Sequence, residues 1–342
     1  MKQFYPLLLH SFCRFDTDPA GHGTSVAGII GAVRNNGQDI AGIAGGNNMV
    51  PGVSLYSSRI LDRVTLNNGA TASNISAAIR VAAMPANSGS PGIPPTFGVQ
   101  LMNHSWEISP GSAVIRDGMR AAYRQGVTMI VARGNNNVYG FDLPGHVRDN
   151  WTVTVGGTGP GGEHFSPGRT YGSNNSSFMD VAAPADRALV RTLSNTSANT
   201  LSFEGTSAAA PHVTGAAALM MSYWNDASNK LAPEDVERVP ELTAIDKVVR
   251  PSAVGRDNFT GWGMINAEAA VAIIDKTEVN LRHSRVVPTP ADITQMPSTT
   301  SLYVYEVGGS FLNTRYEADV YKVVTLGTSY RDPRGRRPHY GA

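Results

Sequence analysis

Cys13 is the only cysteine in the chain, so no disulfide can close within it. Its folding must rest on burial, which suits the cytosol and also those secreted bacterial enzymes that rely on core size. No run of about 18 apolar residues occurs, so no helical membrane span is expected. Neither sign of charge prevails. The 28 Lys and Arg against 27 Asp and Glu give a formal net charge of +1, and no field draws the chain to nucleic acid or an anionic membrane. What is abundant is glycine (36) and proline (21), which predicts many tight turns between short elements. Hydrophobic residues at 41% against 16% charged argue for a packed core over disorder. The first nine residues hold a short apolar stretch broken by Pro6, with no small-residue cleavage site before Arg14. They read as an ordinary or truncated N-terminus, not a convincing signal peptide.

Between residues 22 and 135 helix-like and strand-like segments alternate across Gly/Asn turns, the pattern of a parallel sheet covered by helices. Residues 25–33 are small and apolar, as in a closely packed helix. Residues 53–61 read as a buried strand. A helix is predicted over 71–83, with Ile75, Ile79 and Ala83 on one face. Strands are predicted over 100–105, 127–132, 151–155 and 178–182. Helices are predicted over 113–125, stopped by Gly126, over 207–224, and up to Ile274 after the Gly261–Ala267 stretch. Beyond about residue 276 the chain turns polar and Pro-punctuated, with a β-like stretch at 301–307 and a basic end.

Three islands carry chemistry: Gly21-His22-Gly23-Thr24-Ser25, Ala132-Arg133-Gly134-Asn135, and Gly205-Thr206-Ser207-Ala208-Ala209-Ala210-Pro211. A serine hydroxyl is a weak nucleophile and needs an imidazole to take its proton. Attack on an amide carbonyl creates an oxyanion, which needs preorganised donors. Ser207 at a helix N-terminus offers its own N–H and the positive end of the helix dipole, and the Asn135 amide offers a second donor. Each island alone is an ordinary turn or cap; their order and flanking small residues give the combination its weight.

Together these segments resemble the His, oxyanion-Asn and Ser signatures of the subtilase family, the subtilisin-like serine peptidases, over roughly residues 16–275. The resemblance implies an α/β fold: a subtilisin-like three-layer sandwich, its central sheet mostly parallel, with helices on both faces. It divides the chain into an N-terminal segment (1–15), a peptidase domain (16–275) and a C-terminal appendage or tail (276–342). It implies His22 as general base, Ser207 as nucleophile and Asn135 as oxyanion donor. Ser105, Trp106, Glu107 and Gly134 would line the substrate cleft. The order His, Asn, Ser disfavours an α/β-hydrolase, which wants Gly-x-Ser-x-Gly and the reverse order.

The family's acid sits in an apolar-Asp-Ser/Thr-Gly context, and no such motif precedes His22. Asp16 and Asp18 lie in a polar loop of a different kind. Two explanations stand side by side: a sequence that begins late, or a pseudoprotease that binds peptides or partners without turnover. Trp106-Glu107 replaces the small residues expected at the bottom of the specificity pocket. A buried Glu107 would favour a basic substrate side chain, but Glu is rarely fully buried and it is expected to face solvent, while Arg133 is expected to snorkel outward. The histidines other than His22 have no ligand-like spacing, so no zinc is expected. No cofactor is required for the chemistry, while structural calcium stays open at loops such as 35–39. The resemblance further implies protein or peptide substrates, a monomer, and a secreted or extracytoplasmic location.

Overall fold

The computed structural model describes residues 18, 20–37, 40–47, 49–58, 60, 71–85, 98–107, 111–139, 152–196, 200–224, 231–246 and 254–275, and the backbone of 283–284, 300–307 and 317–324. Its centre is a four-stranded sheet of β1 (Leu101–His104), β2 (Thr128–Ala132), β3 (Thr152–Thr158) and β4 (Val181–Pro184), ordered β1-β2-β3-β4 and parallel throughout. Parallel sheets need cover on both faces. Helices α2 (Ala72–Ala83) and α3 (Ala113–Tyr123) provide it on one side. Helices α4 (Thr206–Trp224), α5 (Pro233–Thr243) and α6 (Ala267–Asp275) provide it on the other.

The side chains of β2 show how the layers part. Met129 and Val131 pack with Ile75, Ile79, Ile115 and Met119 of α2 and α3. Ile130 and Ala132 pack with Ala209, Ala210, Val213 and Ala217 of α4. Alternate residues of a strand point to opposite faces, so one buried apolar run serves two cores. The α/β sandwich expected from the sequence is the one found.

Local chemistry sets the helix ends. Thr71 caps α2, its hydroxyl accepting from the Asn74 N–H at 3.2 Å, and Ser112 caps α3. Gly126, at φ 81°, lies just past α3 where the sequence places a stop. Helix α1 (His22–Gly31) rests on a hairpin of β5 (Arg191–Leu193) and β6 (Thr200–Ser202). Ser25 Oγ donates to the Leu193 carbonyl at 3.1 Å, and Thr192 Oγ1 donates to the Ser25 carbonyl. Gly28 sits over that hairpin, where a Cβ would stand 2.8 Å from the Leu193 nitrogen. The stretch expected at 301–307 is β8 (Thr300–Val307), in an antiparallel sheet with β7 (His283–Ser284) and β9 (Glu317–Val324).

One expected strand is not formed. The described part of residues 53–61 runs without a ladder, and Leu55 and Tyr56 are exposed. Strands persist through shared hydrogen bonds, and among the described residues no strand pairs with this stretch. Helix α5 and the β5–β6 hairpin, conversely, were not anticipated.

Candidate active site

Asn135 and Ser207 come from elements whose ends meet, through hydrogen bonds of Gly134 and Asn135 to Thr206, and His22 opens a third element, α1. His22 is the first residue of α1, behind Gly21 in a left-handed conformation (φ 73°). A side chain at Gly21 would collide with Asn195, whose Oδ1 lies 2.6 Å from the Cβ position. The missing cap side chain is replaced by Asp18. Its carboxylate accepts from the Gly21 N–H at 3.0 Å, the Thr24 N–H at 2.7 Å and the Thr24 hydroxyl at 2.9 Å. Asp18 is therefore engaged as the anion at a helix N-terminus. Among the described residues, no carboxylate accepts a hydrogen bond from the His22 ring; Asp16 lies outside them.

The imidazole of His22 packs edge-on against Phe203, with ring centroids 5.3 Å apart. Phe203 belongs to the segment leading into Ser207. Ile29 of α1, Ala208 of α4 and Val190 form one small buried cluster with Phe203 and Ile43 against it, which ties the histidine helix to the serine helix. His22 is reached by solvent, yet the surrounding protein desolvates the ring enough to hold its pKa below the ordinary value. The Asp18 charge partly restores it.

Ser207 is the second residue of α4, after Gly205 at φ 85°. Its hydroxyl donates to the Ser105 carbonyl at 3.3 Å, and the Ser105 hydroxyl donates to the Ser207 carbonyl at 3.0 Å. Asn103 Nδ2 donates to Ser105 Oγ at 2.8 Å, and Thr214 Oγ1 donates to Asn103 Oδ1 at 2.9 Å. A polar thread thus runs from mid-α4 along the end of β1 to Ser207. Thr214 carries no role from the sequence; a polar residue inside an otherwise apolar helix is the signal that marks it.

Asn135 follows β2. Its Oδ1 accepts from the Thr206 N–H at 2.7 Å and the Thr206 hydroxyl at 3.0 Å, and the Gly134 N–H donates to Thr206 Oγ1 at 3.0 Å. A backbone N–H can donate only to the amide oxygen, so the side chain has one orientation. The Nδ2 group is left without an acceptor among the described residues, beside the Gly205–Ser207 turn.

Ser105 is buried, Trp106 half-buried and Glu107 exposed, as expected for Glu107. The Glu107 carboxylate lies against Gly134, Oε2 being 2.6 Å from the position of a Cβ there, with Gly134 at φ 99°. Arg133 departs from expectation. It is 1% exposed, and burial pulls its pKa down to about 10 while the Tyr139 phenol raises it. It follows the fully buried strand β2, so its stem is enclosed before it can reach solvent. Of the calcium candidate at 35–39, Gln38 and Asp39 fall outside the described residues. Elsewhere Asp180, Glu237 and Glu241 gather carboxylate oxygens within 4.8 Å, where Arg238 pairs with Glu241 at 2.6 Å. Burial, then Glu241, raises the Asp180 pKa to about 7.

A hydroxyl at a helix N-terminus, an imidazole on the adjoining helix and an amide donor at a strand end are the kinds of group that serine hydrolysis uses. The model of the subtilase family matches residues 14–263. An extracellular protease of Xanthomonas campestris pv. campestris is 33% identical over 266 residues, covering 73% of this chain and 40% of that protein. Subtilisin DY of Bacillus licheniformis is 28% identical over 259 residues, covering 75% and 79%. A solved protease of Pseudoalteromonas arctica superposes with a TM-score of 0.55 at 28% identity, covering 74% of this chain and 70% of that one. The chain belongs to the subtilase family, a family of serine peptidases, and spans about two-fifths of the Xanthomonas relative's length. Among the described residues, no helix is long and apolar enough to cross a membrane.

Proposed function

We propose that this chain is a serine endopeptidase that hydrolyses peptide bonds through an acyl-enzyme on Ser207. In this reading Ser207 Oγ attacks the scissile carbonyl while His22 takes its proton. The oxyanion is held by Asn135 Nδ2 and the Ser207 N–H, and the His22 imidazolium then protonates the leaving amine. Water, activated by His22, releases the acyl group. Ser105, Trp106, Glu107 and Gly134 bind the substrate chain at the ends of β1 and β2. The observation that carries the reading is the Asn135 amide, whose oxygen is held by Thr206 so that its N–H₂ is left as a donor beside Ser207.

The chemistry needs no cofactor, and calcium would act only structurally. Substrates are proteins or peptides, the working form is a monomer, and the names of relatives such as the extracellular protease support a secreted or extracytoplasmic location. Fluorophosphonate labelling tests the reading: the folded protein labels at Ser207, and Ser207→Ala abolishes the label. A folded protein that does not label, or labels equally in the variant, refutes it. A second reading, a pseudoprotease that binds peptides without turnover, draws on the engagement of Asp18 in capping α1. It expects peptide binding that His22→Ala leaves unchanged.

A further inference from the structure

The end of β1 and the end of β2 both hydrogen-bond to the Thr206-Ser207 turn, through Ser105 and Gly134 respectively. Two residues beyond Ser105, Glu107 bridges these strand ends. Its Oε2 occupies the space that a side chain at Gly134 would need, 2.6 Å from the Cβ position. The residue next to Gly134 is Asn135, so this carboxylate lies one residue from the oxyanion donor along one strand and two from the nucleophile's partner along the other.

Three features of this carboxylate stand out. It is exposed, so an incoming chain can reach it. No Lys, Arg or His pairs with it among the described residues. Arg133, the cation adjacent to Gly134, is buried and feels the charge of Tyr139. A long acidic side chain laid on a backbone, with no cation to hold it, is half of an ion pair. The half-buried Trp106 beside it is turned away into the core under α2 and α3, which leaves the carboxylate to act alone.

We infer that Glu107 selects substrates with a lysine or arginine side chain at the residue whose carbonyl Ser207 attacks. The inference rests on the proposed peptide-binding role of these strand ends. The cationic head pairs with the Glu107 carboxylate over Gly134. Arginine should do best, because its planar fork matches a carboxylate in two parallel hydrogen bonds.

Binding to the Ser207→Ala variant tests this without depending on turnover. Fluorescein-tagged peptides Ala-Ala-Pro-X-Ala-Ala, with X as Arg, Lys, norleucine or Glu, are titrated and followed by anisotropy. The Arg and Lys peptides should bind roughly ten- to a hundredfold tighter than the norleucine peptide. Adding Glu107→Gln should erase that preference, and adding Glu107→Lys should turn it towards the Glu peptide. Equal affinity for all four peptides, no binding of any, or a preference unchanged in Glu107→Gln overturns the inference. Circular dichroism confirms that each variant is folded. A basic preference with no fluorophosphonate labelling of the wild type would refute the peptidase and keep the site. Labelling with no basic preference would do the reverse.

Discussion

The hydroxyl of Ser105 donates to the backbone carbonyl of Ser207 at 3.0 Å, and Ser207 returns the bond to the carbonyl of Ser105 at 3.3 Å. The reason lies one turn further along α4. Residue 211 would normally donate its N–H to the carbonyl of residue 207, but Pro211 has none. The carbonyl is therefore vacant for a side chain from the sheet, and Ser105 fills it. A proline inside the helix thus locks the Ser207 backbone to the segment that ends β1.

Ser105→Ala should lower stability by about 1 kcal/mol in urea unfolding and slow fluorophosphonate labelling roughly tenfold. Adding Pro211→Ala should recover the stability, since the new N–H takes the Ser207 carbonyl, without recovering the labelling rate. Recovery of both would mean that Ser105 acts only through the helix.

Asn135→Asp keeps the acceptor for Thr206 and deletes the donor. The fold should survive, with a melting temperature close to that of the wild type, while kcat falls about 10²–10³-fold. Asn135→Ala should lose the same activity and also stability, because the buried Thr206 N–H then lacks an acceptor.

Desolvation sets the His22 pKa below the ordinary value near ~6.5, and Asp18 opposes the shift. In the proposed mechanism the neutral ring is the base, so activity should be lost as pH falls through that lowered pKa. Asp18→Asn still offers an acceptor to cap α1 but removes the opposing charge. The acid limb of the kcat/KM profile should therefore move to lower pH; movement to higher pH would contradict this account.

His104 ends β1 fully enclosed, its Nε2 without a hydrogen-bond partner among the described residues and its ring edge-on to Trp106 at 5.5 Å. Burial lowers its pKa to about 4. The unfolded chain binds a proton near ~6.5 and the folded chain only near 4, so stability present above ~6.5 is lost as pH falls between the two, on the order of 3 kcal/mol at most. Asp180 works the other way, since its raised pKa gives stability that is complete at low pH and lost as pH rises towards 7. The comparison that isolates His104 is His104→Phe against wild type. The difference in unfolding free energy should shift towards the variant as pH drops from about 6.5 to about 4. A constant difference would refute the assignment.

How much the sequence revealed depended on whether a residue's fate was decided locally. Helix α2 was legible because Ile75, Ile79 and Ala83 repeat at helical spacing and Thr71 is a good cap. The three chemical islands were legible because small residues around His22 and Ser207 announce close backbone approach. Residues 53–61 read as a buried strand, yet a strand needs a neighbour, and composition is silent about neighbours. Arg133 was expected outside by habit of its kind; its position is dictated by the enclosed strand before it. Helix α5 was hidden by Pro233 and Pro240, which suggest a break but here occupy its first position and its interior.

Helix α4 is buried along most of its length, from Thr206 through Ala217 to Met220, between α1, α6 and the sheet. Its amide protons should exchange only when the whole domain opens, because no smaller cooperative unit contains it. Ser207 should therefore be released only together with the rest of the domain. Heat or denaturant should extinguish its reactivity and erase the tertiary signal at the same midpoint.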